Sequence, residues 1–306
     1  MEFKTAVCII TYKRERDLLL CVNSIIKQKC KFKFDIIIVD NDDKSKLKKN
    51  INELNNLNEI NINYYIESKK GIPNARNKCI EIVQDKYKYL VFIDDDEMPY
   101  KKNWLELMIE SIEKFKCDVV SGPVLSNYKS NKNSFLNKKA FFNRRKRHKT
   151  GTKLKNCATN NMIANVKIFK NYQKPFNEKF SKIGGSDSHF FRKAHKDGII
   201  SKWNNEAPVI ENIPENRTGL YWILKRMLRV GVSMAYSHYL DKRYYKIFKK
   251  FIHAIISICI NVIILPFIAI IELIRKNGSF IKQVNRICKS LGYILGVLNI
   301  HVSDYS

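Results

Sequence analysis

The stretch Tyr89-Leu90-Val91-Phe92-Ile93-Asp94-Asp95-Asp96-Glu97 sets an unbroken apolar run against four consecutive acids. A short run rich in Val, Ile and aromatics, cut off abruptly by charge, reads as a strand buried on both faces. The acids then lie at its carboxyl end. Carboxylates crowded on one strand end repel one another unless a cation neutralises them. A set of oxygen ligands alone selects magnesium or manganese, shared with the phosphates of a nucleotide. By itself the cluster signifies a nucleotide diphosphate and a metal, a pairing that a nucleotidyltransferase also uses.

The same pattern repeats on either side. Ala6-Val7-Cys8-Ile9-Ile10 ends at Thr11-Tyr12, and Leu18 to Gln28 carries apolar residues at helical spacing. Phe34-Asp35-Ile36-Ile37-Ile38-Val39 is a second buried strand, broken by Asp40-Asn41-Asp42-Asp43, and Ile62–Ile66 a third. Gly71-Ile72-Pro73 opens a helix to about Gln84, with the proline in the first turn, where its missing N–H costs nothing. Trp104 to Phe115 is helical again, and Asp118-Val119-Val120-Ser121-Gly122 reads as a further strand. Strand and helix in alternation predict an α/β fold, a doubly wound layer on a mainly parallel sheet. Ligands of such sheets bind beyond the carboxyl ends of the strands. Thr11-Tyr12, Asp40-Asn41 and Asp94-Asp95-Asp96 all fall there.

Further on, Gly184-Gly185-Ser186-Asp187-Ser188-His189 lets the backbone pass close to a ligand and sets Asp187 where a helix begins. An aspartate there can cap the helix or take a proton from an attacking hydroxyl. His189 is a lesser candidate for the second role. No G-x-S-x-G elbow occurs, so acyl transfer lacks support.

The chain has 306 residues, enough for one large domain or two modest ones, and 45% hydrophobic with 28% charged residues excludes wholesale disorder. Lys and Arg outnumber Asp and Glu by 56 to 29, a net +27 that favours an anionic partner: nucleic acid, acidic lipid or a phosphorylated substrate. The basic run 138–149, with Phe141 and Phe142 inside it, reads as a loop or lid able to clamp phosphates or anionic lipid. Eight cysteines without a C-x-x-C pair suit reduced cytosolic thiols better than disulfides or zinc. The apolar run near the N-terminus is too short for an export signal. Phe251 to Ile274 is almost wholly apolar and long enough to cross a bilayer, with His253, Ser257 and Asn261 at four-residue intervals and Pro266 set to kink it. Basic residues flank both ends, which suggests a helix lying in the membrane interface, or a hairpin with Leu291–Val302, over a one-way crossing.

With these residues in view, the chain resembles the family 2 inverting glycosyltransferases of GT-A fold, in the bacterial branch that builds exopolysaccharide and lipopolysaccharide repeat units, the succinoglycan glucosyltransferase type. The resemblance rests on Ile9-Ile10-Thr11-Tyr12-Lys13-Arg14, Val39-Asp40-Asn41-Asp42, Gly71-Ile72-Pro73-Asn74-Ala75-Arg76-Asn77, Ile93-Asp94-Asp95-Asp96-Glu97, Asn160-Asn161 and Gly184-Gly185-Ser186-Asp187. It continues through Glu211-Asn212-Ile213-Pro214-Glu215-Asn216-Arg217 and Arg226-Met227-Leu228-Arg229-Val230-Gly231. It implies that Thr11, Tyr12 and Arg14 line the nucleotide pocket, that Asp40 and Asn41 read the base, and that Arg76 approaches base or diphosphate. Asp94 and Asp95 would face ribose and sugar, Asp96 would bind Mn2+ or Mg2+, and Asp187 would be the general base. Asn161, Gly185, Arg217 and Arg226 would serve the acceptor or the donor phosphates. Ser186 stands where relatives often have Glu, and no Q-x-x-R-W occurs, which argues against a processive synthase.

The implied reaction moves a sugar from a nucleotide-diphosphate donor, UDP-linked, to a glycan acceptor on a lipid carrier. Its place would be the cytoplasmic face of a bacterial inner membrane, against anionic lipid. Residues 1–235 would form the catalytic domain, with a nucleotide-sugar half at 1–122 and an acceptor half at 123–235, and 236–306 a helical membrane-associated region. Sugar nucleotidyltransfer is the enzymatic alternative, but Thr11-Tyr12-Lys13-Arg14 is not its Gly-rich loop. A nucleic-acid-binding protein would account for the charge and leave Asp94–Glu97 unexplained, because acids repel phosphate backbones. No nucleic-acid partner is expected.

Overall fold

A computed structural model describes residues 4–45, 47–57, 59–128, 147–275 and 278–300. The chain divides into two compact units, whose described residues fall within 4–126, 147–181 and 186–212 for the first and 127–128, 182–185 and 213–300 for the second.

In the first unit, β1 (Thr5–Thr11), α1 (Glu15–Ile26), β2 (Phe34–Asp40), α2 (Leu47–Asn56), β3 (Ile62–Ile66), α3 (Ile72–Val83) and β4 (Tyr89–Asp94) follow in strict alternation. After β5 (Glu97–Pro99) come α4 (Trp104–Phe115), β6 (Val119–Ser121), β7 (Val124–Tyr128), β8 (Met162–Asn165), α5 (Ser186–Lys196), β9 (Ser201–Trp203) and β10 (Val209–Ile213). Seven strands form one sheet in the order β3-β2-β1-β4-β8-β6-β9; β8 alone among them runs against its neighbours. This is the mainly parallel α/β layer that the sequence predicts. A second sheet takes the order β5-β10-β7.

The apolar runs look continuous because both faces of the sheet are covered. Val7 and Ile9 of β1 point into a core with Leu18, Val22 and Ile25 of α1 and Trp104, Met108 and Ile109 of α4. Ala6 and Cys8 point the other way, onto Cys79, Ile80 and Val83 of α3 and Phe190 and Phe191 of α5. Burying one such large side chain contributes about 1.5–3 kcal/mol. Helix α2, the short β5 and the strands β7 to β10 carry no clear mark in the sequence. Helix α2 buries only Leu47 and Ile51 among lysines and asparagines, and β5 is three residues long. Of the basic run 138–149, only 147–149 lie within the described residues. There Arg147 Nε donates to Asn205 Oδ1 at 2.9 Å, and His148 meets Trp203 edge to face.

The second unit is built on α6 (Leu220–Leu240), α7 (Tyr244–Arg275) and α8 (Ser279–Val297). Its start after Asn212 differs from the boundary drawn at 235, which falls inside α6. Gly231 of α6 and Gly292 of α8 sit at a backbone-to-backbone approach: a Cβ on Gly231 would lie 2.2 Å from the Lys289 carbonyl oxygen, and one on Gly292 2.0 Å from that of Leu228. Glycines let helices approach this closely. Helix α7 runs unbroken through Pro266 and is long and apolar enough, over Tyr244–Ile274, to cross a membrane.

Candidate active site

Strand register aligns the polar clusters. Thr11 pairs with Asp40 across β1 and β2, and Ile10 pairs with Asp94 across β1 and β4, so the three strand ends share one edge. The chain leaves β1 through Lys13 at φ 54° and enters α1 after Arg14. That turn swings the Arg14 guanidinium over the acids that follow β4. Its Nη1 donates to Asp95 Oδ1 at 3.0 Å and to Asp96 Oδ2 at 2.8 Å. Thr11 Oγ1 donates to the other Asp95 oxygen at 2.8 Å. Arg76, on the first turns of α3, lies over the Phe176 ring and 3.7 Å from Asp94 Oδ1. Thr11, Arg14, Asp94, Asp95, Asp96 and Arg76 are therefore brought together.

Charge in this cluster is unevenly matched. Asp95 is 6% exposed, and burial, with repulsion from Asp96 and Asp94, pushes its carboxyl up to about 7 against the pull of Arg14 and Thr11. Glu97 and Glu211 lie opposite each other across β5 and β10, both fully buried. Burial first, then the Asp94 and Glu211 charges, hold Glu97 well above the ordinary carboxylate range. The Glu97 carboxylate accepts from the Asp94 N–H at 3.1 Å and from Asn160 Nδ2 at 3.2 Å, which fixes the turn that carries Asp95 and Asp96. Glu97, counted by sequence among the acids that draw a metal, is a fully buried support, as are Glu211 and Asn160, to which the sequence assigns no role.

These donors fit a divalent ion of a particular kind. Among the described residues no three His, Cys, Asp or Glu side chains are placed to hold a metal by themselves. Carboxylates in excess of cations, with Arg14 as the positive charge between two of them, suit an ion that takes most of its shell from substrate phosphate and water. A permanently caged ion does not fit.

Beside the acids, Asn41 organises the loop after β3. Its Nδ2 donates to the carbonyls of Glu67 at 2.7 Å and Lys69 at 2.9 Å, and its Oδ1 accepts from the Gly71 N–H at 2.7 Å. Gly71 has φ 123°, and a Cβ there would lie 2.4 Å from Ser181 Oγ, so only glycine fits. Asp40 is buried and accepts from Tyr64 Oη at 2.7 Å; burial raises that phenol to about 12. Tyr12 is exposed, flanked by the Lys13 and Lys70 ammonium groups, and Lys70 also donates to Asp43 at 2.8 Å. Lys70 was absent from the sequence reading.

Asp187 stands apart from this network, in the first turn of α5, where its half-buried carboxylate accepts from the Ser188 N–H at 2.7 Å. His189 packs against Phe180. Asn161, expected as an acceptor or phosphate contact, is spent inside the protein. At φ 52° and fully buried, its amide accepts from Trp104 Nε1 at 2.9 Å and donates to the carbonyls of Pro123 and Ala207 at 2.8 and 2.9 Å. Gly185, Arg217 and Arg226 belong to the second unit, where Arg226 lies over the Trp222 ring.

An α/β layer with its polar residues gathered at the carboxyl edge of the sheet presents them where ligands of such sheets bind. Residues 6–173 match the sequence profile of glycosyl transferase family 2, and the chain belongs to that family. It is 27% identical over 196 residues to the succinoglycan biosynthesis protein ExoM of Rhizobium meliloti (strain 1021), a match covering 64% of this chain. The chain spans 62% of that relative's length. Among solved structures the fold is similar to TarS of S. aureus, with TM-score 0.52, 15% identity, and 77% of this chain against 43% of TarS. It is also similar to GalNAc-T7 solved with UDP, GalNAc and Mn2+, with TM-score 0.55, 14% identity, and 77% of this chain against 50% of that one.

Proposed function

We propose that the protein is an inverting glycosyltransferase of surface polysaccharide assembly, acting at the cytoplasmic face of a bacterial membrane. It takes a sugar from a nucleotide-diphosphate donor, UDP-linked, and delivers it to a hydroxyl of a lipid-linked glycan. The observation that carries this reading is the linked set Thr11–Asp95–Arg14–Asp96 at the edge of the sheet, beside Asp40, Asn41 and Tyr12.

In this reading Tyr12 and Asp40 take the base while Asn41, its amide used within the loop, shapes that side of the pocket. Arg76 takes base or diphosphate, and Asp94 and Asp95 meet ribose and sugar. Arg14 uses Nη1 on the acids and has further guanidinium donors for the donor phosphates. A divalent ion at Asp96, Mn2+ or Mg2+, would stabilise charge on the departing diphosphate. Asp187 removes the proton of the acceptor hydroxyl, whose oxygen attacks the anomeric carbon from the face opposite the diphosphate. Roles for Gly185, Arg217 and Arg226 at the donor phosphates or acceptor rest on the resemblance alone. The exposed apolar surface of α7, with the net positive charge, supports attachment to anionic lipid.

The test is a panel of nucleotide-sugars assayed for binding and transfer, with Mn2+ or with a chelator. Asp96→Asn should abolish transfer and weaken metal-dependent donor binding while the chain stays folded. Undiminished activity in chelator would sink the metal assignment, and failure to bind any nucleotide-diphosphate sugar would sink the donor assignment.

A further inference from the structure

Helix α7 turns its few polar contacts inward and leaves an apolar stripe outside. Ala254, Asn261 and Glu272 are buried on its inner side, where Asn261 meets Ser257 and Ser257 meets Ser290 of α8 at 3.2 Å. The outer stripe is Ile256, Ile260, Ile263, Phe267, Ile270 and Ile274, all exposed, at intervals of four and three. A water-soluble helix has the reverse arrangement. The stripe is therefore made for an apolar medium.

The neighbouring helix restricts how that medium is met. Glu272 accepts from the N–H groups of Gly278 and Ser279, both at 2.7 Å, and caps the start of α8. With the Ser257–Ser290 contact, this sets α7 and α8 antiparallel side by side. Counting along the helices from these two contacts puts Arg286 level with residues 261–265, the middle of the apolar stretch 251–274. Lys282, Arg286 and Lys289 are all exposed and, at spacings of four and three, share one face of α8. If α7 crossed a bilayer, α8 would accompany it and hold these three cations at hydrocarbon depth, where charged side chains are expelled.

We infer that the α7–α8 pair lies in the plane of one anionic leaflet. The outer stripe of α7 enters the acyl boundary, and α8, packed on the opposite side of α7, keeps Lys282, Arg286 and Lys289 at the headgroup level, clear of the hydrocarbon. The inference deepens the membrane attachment proposed above and rests on it. It chooses lying over spanning, and makes the protein a resident of one face of the membrane.

The test uses the full chain added to preformed, sealed vesicles of phosphatidylcholine, with or without phosphatidylglycerol. The chain should float with the mixed vesicles, and Lys282→Glu with Arg286→Glu and Lys289→Glu should weaken that binding by at least about tenfold. A Ser279→Cys variant, with labelling at 279 read by peptide mapping, should react with a membrane-impermeant maleimide added outside. Flotation with position 279 protected until detergent is added, and no effect of charge reversal, would overturn the in-plane arrangement and leave membrane attachment standing. Failure to float with either vesicle would overturn both.

Discussion

Replacing Arg14 by methionine keeps most of the side-chain bulk and removes a cation that bridges Asp95 and Asp96. Two charge-assisted hydrogen bonds are lost, at 3.0 and 2.8 Å. Each such bond is worth about 1.5–3 kcal/mol in a buried setting. Two considerations reduce the sum. The Arg14 side chain is 33% exposed, so water screens part of the interaction, and Asp95, already raised to about 7, can take up a proton once its partner is gone. A net loss of about 1–3 kcal/mol follows, a fall in Tm of roughly 2–10 °C for a domain of this size. Arg14→Met also takes the guanidinium from between the Asp95 and Asp96 carboxylates. Adding Mn2+ without nucleotide should then raise the Tm of the variant more than that of the parent. Thermal melting with and without Mn2+ reads both effects. A variant that melts with the parent, and responds to Mn2+ no more than the parent does, would refute the idea that Arg14 balances the acids.

Asp187→Asn should retain donor affinity and lose transfer by at least about a hundredfold, the scale of general-base removal; a collapse of donor binding would instead assign Asp187 to the start of α5. Because the folded-state pKa of Asp95 lies above its ordinary value, its contribution to stability is present at low pH and lost as pH rises toward about 7. The Tm gain on adding Mn2+ with UDP should therefore be larger above neutrality than near pH 5.5, and an equal gain at both would contradict this. Asn161→Ala should cost about 3–5 kcal/mol in urea unfolding, since it strands the Trp104 indole N–H and two buried carbonyls; a cost below about 1 kcal/mol would mean that water replaces the amide.

Strands β1, β2 and β4 and their polar ends are legible because these strands are buried on both faces and must be apolar throughout. That requirement also marked Thr11, Asp40 and Asp94–Asp96 as a common edge. Helix α2 was not legible, since two buried residues in a polar segment leave no periodic trace. Nor was the Arg14 bridge, which depends on the left-handed turn at Lys13, or the Glu97–Glu211 pairing, which depends on β10 returning beside β5. The family resemblance implies a ligand contact at Asn161; burial and three hydrogen bonds give it to the framework. The apolar composition of α7 was plain, whereas its register against α8 follows only from the contacts of Ser257 and Glu272.

Ser233 of α6 donates its hydroxyl to the Gly184 carbonyl at 2.8 Å. This one bond clamps the chain just ahead of Asp187, and α6 itself is clasped to α8 through Gly231 and Gly292. Trimming the C-terminal helices to obtain a more tractable protein would therefore have a hidden effect. The shortened chain would retain the strand-end acids and their arginine, and a binding assay alone would pass it as intact. Residues 182–185 would meanwhile have lost the Ser233 hydroxyl that bonds Gly184, without any change to a residue at the strand ends. Ser233→Ala in the full chain makes that same cut at a single atom.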